Sequence, residues 1–89
     1  MKELYISNAY KKDIKRLVKQ GRKLSEIDKI IHLLVSGERF PPKHRLHKLK
    51  GKWSGYRECH IAPDWLLIWR EDEQSVRLMR TGSHSDMFR

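Results

Sequence analysis

The sequence predicts an α+β fold, with an N-terminal strand and a helical hairpin packed on one face of a mainly antiparallel sheet. Three observations carry that expectation. Apolar residues fall first at strand spacing, then twice at helical spacing, then in three closely spaced strand-like segments. The middle segment, Trp65-Leu66-Leu67-Ile68-Trp69, is continuously apolar, as expected of a strand covered on both faces and central in its sheet. Finally, 89 residues leave room for a single domain, spanning 1–89, because so short a chain buries only about 60% of its unfolded surface. A content of 38% hydrophobic residues, with three Trp and only 5 Gly and 3 Pro, is that of a folding chain rather than a disordered one. There is no internal repeat and no linker-like tract.

Leu4, Tyr5 and Ile6 form the opening strand, and Ser7-Asn8 supply helix N-cap types after it. Tyr10, Ile14 and Leu17 then recur at helical spacing, while Lys11, Lys12, Lys15, Arg16 and Lys19 take the remaining surface, up to a stop at Gly21. The second helix carries Ile27, Ile30, Ile31 and Leu34 as its apolar stripe, with Ser25 and Asp28 at capping-box spacing and Gly37 at its end. From Phe40 to Tyr56 periodicity vanishes, and "PPKHRLHKLKGKWSGY" reads as a long basic loop. Leu46, Leu49, Trp53 and Tyr56 are its apolar anchors. Three strands follow, Tyr56 to Ile61, Trp65 to Arg70 and Ser75 to Thr81, the last two joined by a polar turn at Glu71-Asp72-Glu73-Gln74. Trp53, Trp65 and Trp69 are assigned to the core or its rim.

Charge narrows the function classes. Twenty Lys and Arg against 11 Asp and Glu give a net +9, a balance that attracts polyanions such as nucleic acid. No apolar run approaches the roughly 20 residues of a membrane span, and no signal-peptide core follows the first residues, so a soluble cytoplasmic protein without membrane contact is expected. The single cysteine, Cys59, excludes an internal disulfide and a cysteine-rich zinc site. Alternation along the strand places it on the face of Ile61, as a buried core thiol.

The chemistry-bearing residues concentrate around "GYRECHIAPDW". Alternation sends His60 to the face opposite Cys59 and Ile61, and Asp64 follows across the Ala62-Pro63 turn. His47 in the basic loop and His84 after the last strand complete a candidate cluster, whereas His32 is an ordinary helix residue and His44 part of the loop. Such a set suits metal-free RNA cleavage, in which the ribose 2′-hydroxyl attacks the adjacent phosphate. That reaction needs a base for the hydroxyl proton, an acid for the leaving 5′-oxygen and cations for the phosphorane-like transition state. Histidine serves as either acid or base near neutrality, and Arg57 and Arg80 are candidate phosphate clamps. Two other uses of these residues stay open: a pure nucleic-acid-binding module acting with a partner, and a metal hydrolase with three histidines and an aspartate as ligands.

Three blocks in order, "LKGKW", "GYRECHIAPDW" and "RTGSH", resemble the YafQ branch of the RelE superfamily, the toxins of bacterial type II toxin-antitoxin pairs. The close matches run from His47 to Phe88, and the helical hairpin ahead of them agrees in length and order. The resemblance implies a RelE-like microbial ribonuclease fold and a ribosome-dependent mRNA endonuclease without a cofactor. It also implies a dimeric DinJ/RelB-like antitoxin partner, and operator DNA bound through that complex. Carried over residue by residue, it marks His47, His60, Asp64 and His84 as catalytic, with Arg80 as a transition-state contact. His60 and Asp64 are expected at the attacking side and His84 as the acid. Phe88 would support the site or stack on a base. Lys43, Arg45, Lys50, Lys52 and Arg57, together with Lys48, would hold RNA.

Overall fold

A computed structural model describes residues 1–87. The elements run β1 (Glu3–Ile6), α1 (Asn8–Lys19), α2 (Leu24–Ser36), β2 (His47–Lys48), β3 (Arg57–Ala62), β4 (Trp65–Glu71), β5 (Ser75–Gly82) and α3 (His84–Met87). One-turn 3-10 segments occupy Pro42–His44 and Gly51–Trp53. The strands lie in the order β1-β5-β4-β3-β2, so the apolar strand is central as expected. β1 runs parallel to β5, and every other neighbouring pair is antiparallel.

Because successive side chains of a strand alternate, β4 supplies two cores. Trp65, Leu67 and Trp69 join Cys59, Ile61, Val76 and Leu78 beneath the helical hairpin, against Tyr10, Leu17, Ile27, Ile30 and Leu34. Leu66 and Ile68 face the other way and pack with Met87, Leu49, Trp53, Tyr56 and Met79. All five residues from Trp65 to Trp69 are fully shielded, which accounts for the lack of alternation in their sequence. At roughly 1.5–3 kcal/mol for each large side chain buried, this strand is the main source of cohesion.

The helices begin and end for local reasons. The Ser7 hydroxyl accepts a hydrogen bond from the Tyr10 backbone N–H at 2.9 Å, capping α1 as its sequence predicts. Gly37 closes α2 in a left-handed conformation at φ 74°, its N–H donating to the Leu33 carbonyl. The capping box expected of Ser25 and Asp28 does not form. Leu24 packs against the core and draws the first turn back, so α2 starts there and Ser25 lies inside it, with no side-chain cap at Lys23.

The basic segment is more ordered than a loop. β2 adds to the sheet edge by pairing His47 with Glu58 and Lys48 with Arg57, and the Leu49 N–H donates to the Tyr56 carbonyl. Leu49, Trp53 and Tyr56 anchor it as expected, but Leu46 remains 45% exposed. Phe40 holds the other end by stacking on Trp69 with ring centroids 5.9 Å apart.

Beyond Ile6, β1 leaves the sheet and the last part of β5 has a free edge, which side chains of the α1 region close. The Ser7 hydroxyl donates to the Met79 carbonyl, the Asp13 carboxylate accepts from the Thr81 N–H, and the Arg16 guanidinium donates to the Thr81 carbonyl. Arg16 is therefore a half-buried structural residue, not part of a solvated lysine face.

Candidate active site

Ladder register builds the open face of the sheet in two rows. His47 lies opposite Glu58, Glu58 opposite Ile68, and Ile68 opposite Arg80. Next to that row, His60 lies opposite Leu66 and Leu66 opposite Gly82. Residues directly opposite in antiparallel strands project from the same face. Leu66 and Ile68 thus form an apolar floor between a histidine-bearing side and Arg80.

Two register irregularities shape the rim. In β3 the pairing shifts between His60 and Ala62, so Ile61 and Ala62 both reach the helix side and the following turn carries Asp64. In β5 the shift beside Ile68 and Trp69 brings Arg80, rather than Met79, opposite Ile68. Past β5, Gly82 has φ 150°, and a Cβ there would lie 2.6 Å from the Arg16 guanidinium, which Asp13 holds in place. The chain then enters α3 through reciprocal bonds: the Ser83 N–H donates to the Asp86 carboxylate, and the Asp86 N–H donates to the Ser83 hydroxyl. His84 is consequently the first residue of a short helix rather than part of a tail.

This framework brings His47, His60, Asp64 and His84 together. The His60 ring lies between the other two imidazoles, with centroids 6.5 Å from His47 and 6.3 Å from His84. Asp64 sits beside His84: its Oδ1 is 3.6 Å from the ring Nδ1 and accepts from the His84 backbone N–H at 3.4 Å. The aspartate expected on the attacking side is therefore next to the histidine expected to act as acid. His47 places Nδ1 2.9 Å from the Arg45 carbonyl and Nε2 3.2 Å from Glu58 Oε1. His44, by contrast, spends its Nδ1 on the His60 backbone carbonyl at 2.8 Å and braces the strand.

Arg80 is held by the buried Asp13 through two bonds, Nε to Oδ2 at 2.7 Å and Nη2 to Oδ1 at 3.1 Å. Those bonds raise its pKa above the ordinary arginine value, against the opposing effect of burial. Lys43 and Arg45 line a cleft of about 430 Å³ with His60 and Pro63. Lys50 and Lys52 are exposed on the same basic segment.

Arg57 lies elsewhere. It shares the parity of Cys59, lines a separate cleft with Leu33, Phe40 and Trp69, and binds Glu71 at 3.2 Å. Its guanidinium is on the helix side of the sheet, away from His60. Burial opposes ionisation of Glu71, but hydrogen bonds from Lys2 and Trp69 and the Lys2 and Arg57 charges prevail and lower its pKa. Phe88 lies outside the described residues.

Two polar residues of the site had no role in the sequence reading. Glu58 had a usable signal, since it shares the strand parity of His60. Asp13 had only its place among the lysines of α1. Among the described residues, no group of three or more His, Cys, Asp or Glu side chains is close enough to hold a metal ion.

Residues 2–89 match the family described as the bacterial toxin of type II toxin-antitoxin systems, YafQ. The mRNA interferase toxin YafQ of Escherichia coli K12 is 32% identical over 88 residues, covering 98% of this chain and 96% of that protein. Among solved structures, a copper-bound mutant toxin from Helicobacter pylori superposes with a TM-score of 0.94 at 36% identity, covering 99% of this chain and all of that one. YafQ in the E. coli DinJ-YafQ toxin-antitoxin complex superposes at 0.92 and 31% identity, covering 99% and 98%.

Proposed function

The chain belongs to the YafQ family of type II toxin-antitoxin toxins, and on that footing we propose that it is an endoribonuclease that cuts mRNA on the ribosome. One observation carries the reading. Three imidazoles and a carboxylate converge on an open face of a strongly basic chain, with Arg80 held on the same face. The E. coli relative's name supplies the substrate class, mRNA.

In this scheme His60 takes the proton of the 2′-hydroxyl, since among the described residues no hydrogen bond engages its ring nitrogens. The freed oxygen attacks the adjacent phosphorus, and the bond to the 5′-oxygen breaks as His84 delivers a proton to it. Asp64 orients the His84 ring, refining the expectation that it would stand with His60. Arg80 and the neighbouring cations steady the pentacoordinate phosphate. Lys43, Arg45, Lys50 and Lys52 hold the RNA backbone. Ribosome dependence accords with a basic, shallow site that by itself surrounds no substrate.

The DinJ complex of the E. coli relative motivates the partner reading: a DinJ/RelB-like dimeric antitoxin silences this chain and carries it to operator DNA. The copper-bound H. pylori toxin raises the metal alternative, but the wide spacing of these imidazoles favours acid-base chemistry. Cleavage that persists in a chelator is the expected result.

Primer extension on a reporter mRNA, in a purified translation system with and without ribosomes, tests the proposal. Discrete cuts are expected from the native chain only on translating ribosomes, and none from His84→Ala. Equal cutting by His84→Ala would remove the histidine face from the reaction. Nucleic-acid binding without any cutting would leave the co-repressor reading in its place.

A further inference from the structure

Glu58 stands in the middle of "GYRECHIAPDW" and has no part in the scheme above. It is 5% exposed, on a face that otherwise offers Ile68 and Leu66 as neighbours. A carboxylate so placed gains little for stability. Withdrawing it from water costs several kcal/mol unless a partner compensates, and an apolar residue of similar size serves a sheet at least as well. Its ion-pair partner is His47, at 3.2 Å.

We propose that Glu58 is a positioning residue, whose carboxylate fixes the His47 imidazole on the cleavage face. The inference rests on that face being the reaction site. Two anchors define the ring: Nδ1 meets the Arg45 carbonyl at 2.9 Å and Nε2 meets Glu58. Both anchors only accept hydrogen bonds, so the pair is complete when each ring nitrogen carries its proton. His47 then has no lone pair to offer a 2′-hydroxyl. It contributes charge to the phosphate, which leaves proton abstraction to His60. β2 is two residues long and exposed, so backbone pairing alone cannot hold a side chain in one rotamer. The groups that face Glu58 across the sheet are His47 on β2, His60 on its own strand, and Arg80 on β5 beyond the apolar β4 residues.

The experiment is a double-mutant cycle on full-length protein, with Glu58→Gln, His47→Ala and the pair measured for cleavage on ribosomes, and His84→Ala alongside. Glutamine keeps the shape but offers a neutral amide. A misplaced catalytic group of this kind costs on the order of 100-fold, so Glu58→Gln is expected to lower kcat by about that much with KM unchanged. The same substitution should have no further effect once His47 is alanine. Nitrogen chemical shifts of the His47 ring should report both nitrogens protonated in the native chain and a changed ring state in Glu58→Gln. Equal losses from Glu58→Gln with and without His47, or unchanged His47 resonances, would overturn the inference. If His84→Ala abolishes cutting while Glu58→Gln cuts normally, the cleavage reading survives and only the role of Glu58 falls. If His84→Ala cuts normally, the cleavage reading falls first and takes this one with it.

Discussion

The two faces of β4 differ in how sequence determines them. Trp65, Leu67 and Trp69 look toward the helical hairpin, and Leu66 and Ile68 look toward the histidines. On the helix side, apolar residues meet apolar residues, and one exchange of similar volume replaces another. On the open side a small apolar floor separates Glu58 and His47 from Arg80, and each polar group depends on a single named partner. The first face tolerates change in kind and resists change in volume. The second is expected to do the reverse.

The largest expected effect lies on the helix side. Trp69 is fully buried, stacks on Phe40 and donates its indole N–H to Glu71 at 3.2 Å. Trp69→Ala removes a large part of the core and should cost about 3–5 kcal/mol. Chemical denaturation would show it as a lowered midpoint, and any loss of cleavage would follow unfolding. A Trp69→Ala protein of native stability would mean that the helix face is not the cohesive one.

The next effect falls on the border between the faces. Asp13 accepts bonds from Arg16, from Arg80 twice and from the Thr81 N–H, while 2% exposed. Asp13→Ala leaves cations and a strand-edge N–H without their acceptor and should cost about 3 kcal/mol. Unlike Trp69→Ala, it should also weaken cleavage under conditions where the protein is still fully folded, because Arg80 loses its anchor. Measuring cleavage below the onset of the melting transition separates the two effects. Full activity in folded Asp13→Ala would confine Asp13 to stability.

This contrast explains what could be read from the sequence. The element order, the central strand, the helix stripes, the Ser7 cap and the opposite facing of Cys59 and His60 all follow from local periodicity. The convergence of His47 on the sheet does not, because a two-residue strand has no periodicity to detect. Nor do the register shifts in β3 and β5, which arise from tertiary packing and decide where Asp64 and Arg80 point. Some signals were present and unused. The parity that puts His60 on the open face also puts Glu58 there and Arg57 on the other side, and Ser83 and Asp86 stand at capping-box spacing. Asp13 is different in kind: on sequence it is one polar residue in a polar stretch, and its burial is set by a strand edge some 68 positions away.

The smallest effect near neutrality concerns Cys59, which joins the faces by sitting behind Glu58 on the helix side. Burial, aided by the Glu58 charge, pushes its thiol up to about 12. An acid whose pKa is raised by folding adds stability that is fully present below its unfolded value, about 8.5. That stability is lost as pH rises toward the folded value, because only the unfolded chain ionises across the interval. The native protein should therefore lose stability between about pH 9 and 12, and Cys59→Ala should lose less over the same range, although the smaller side chain lowers its stability at pH 7. Denaturation midpoints across that range, with the two proteins compared as differences from their own pH 7 values, measure the contribution directly. Parallel curves would mean that Cys59 is exposed to solvent in the native protein, and that β3 does not divide the two faces as the register of the sheet requires.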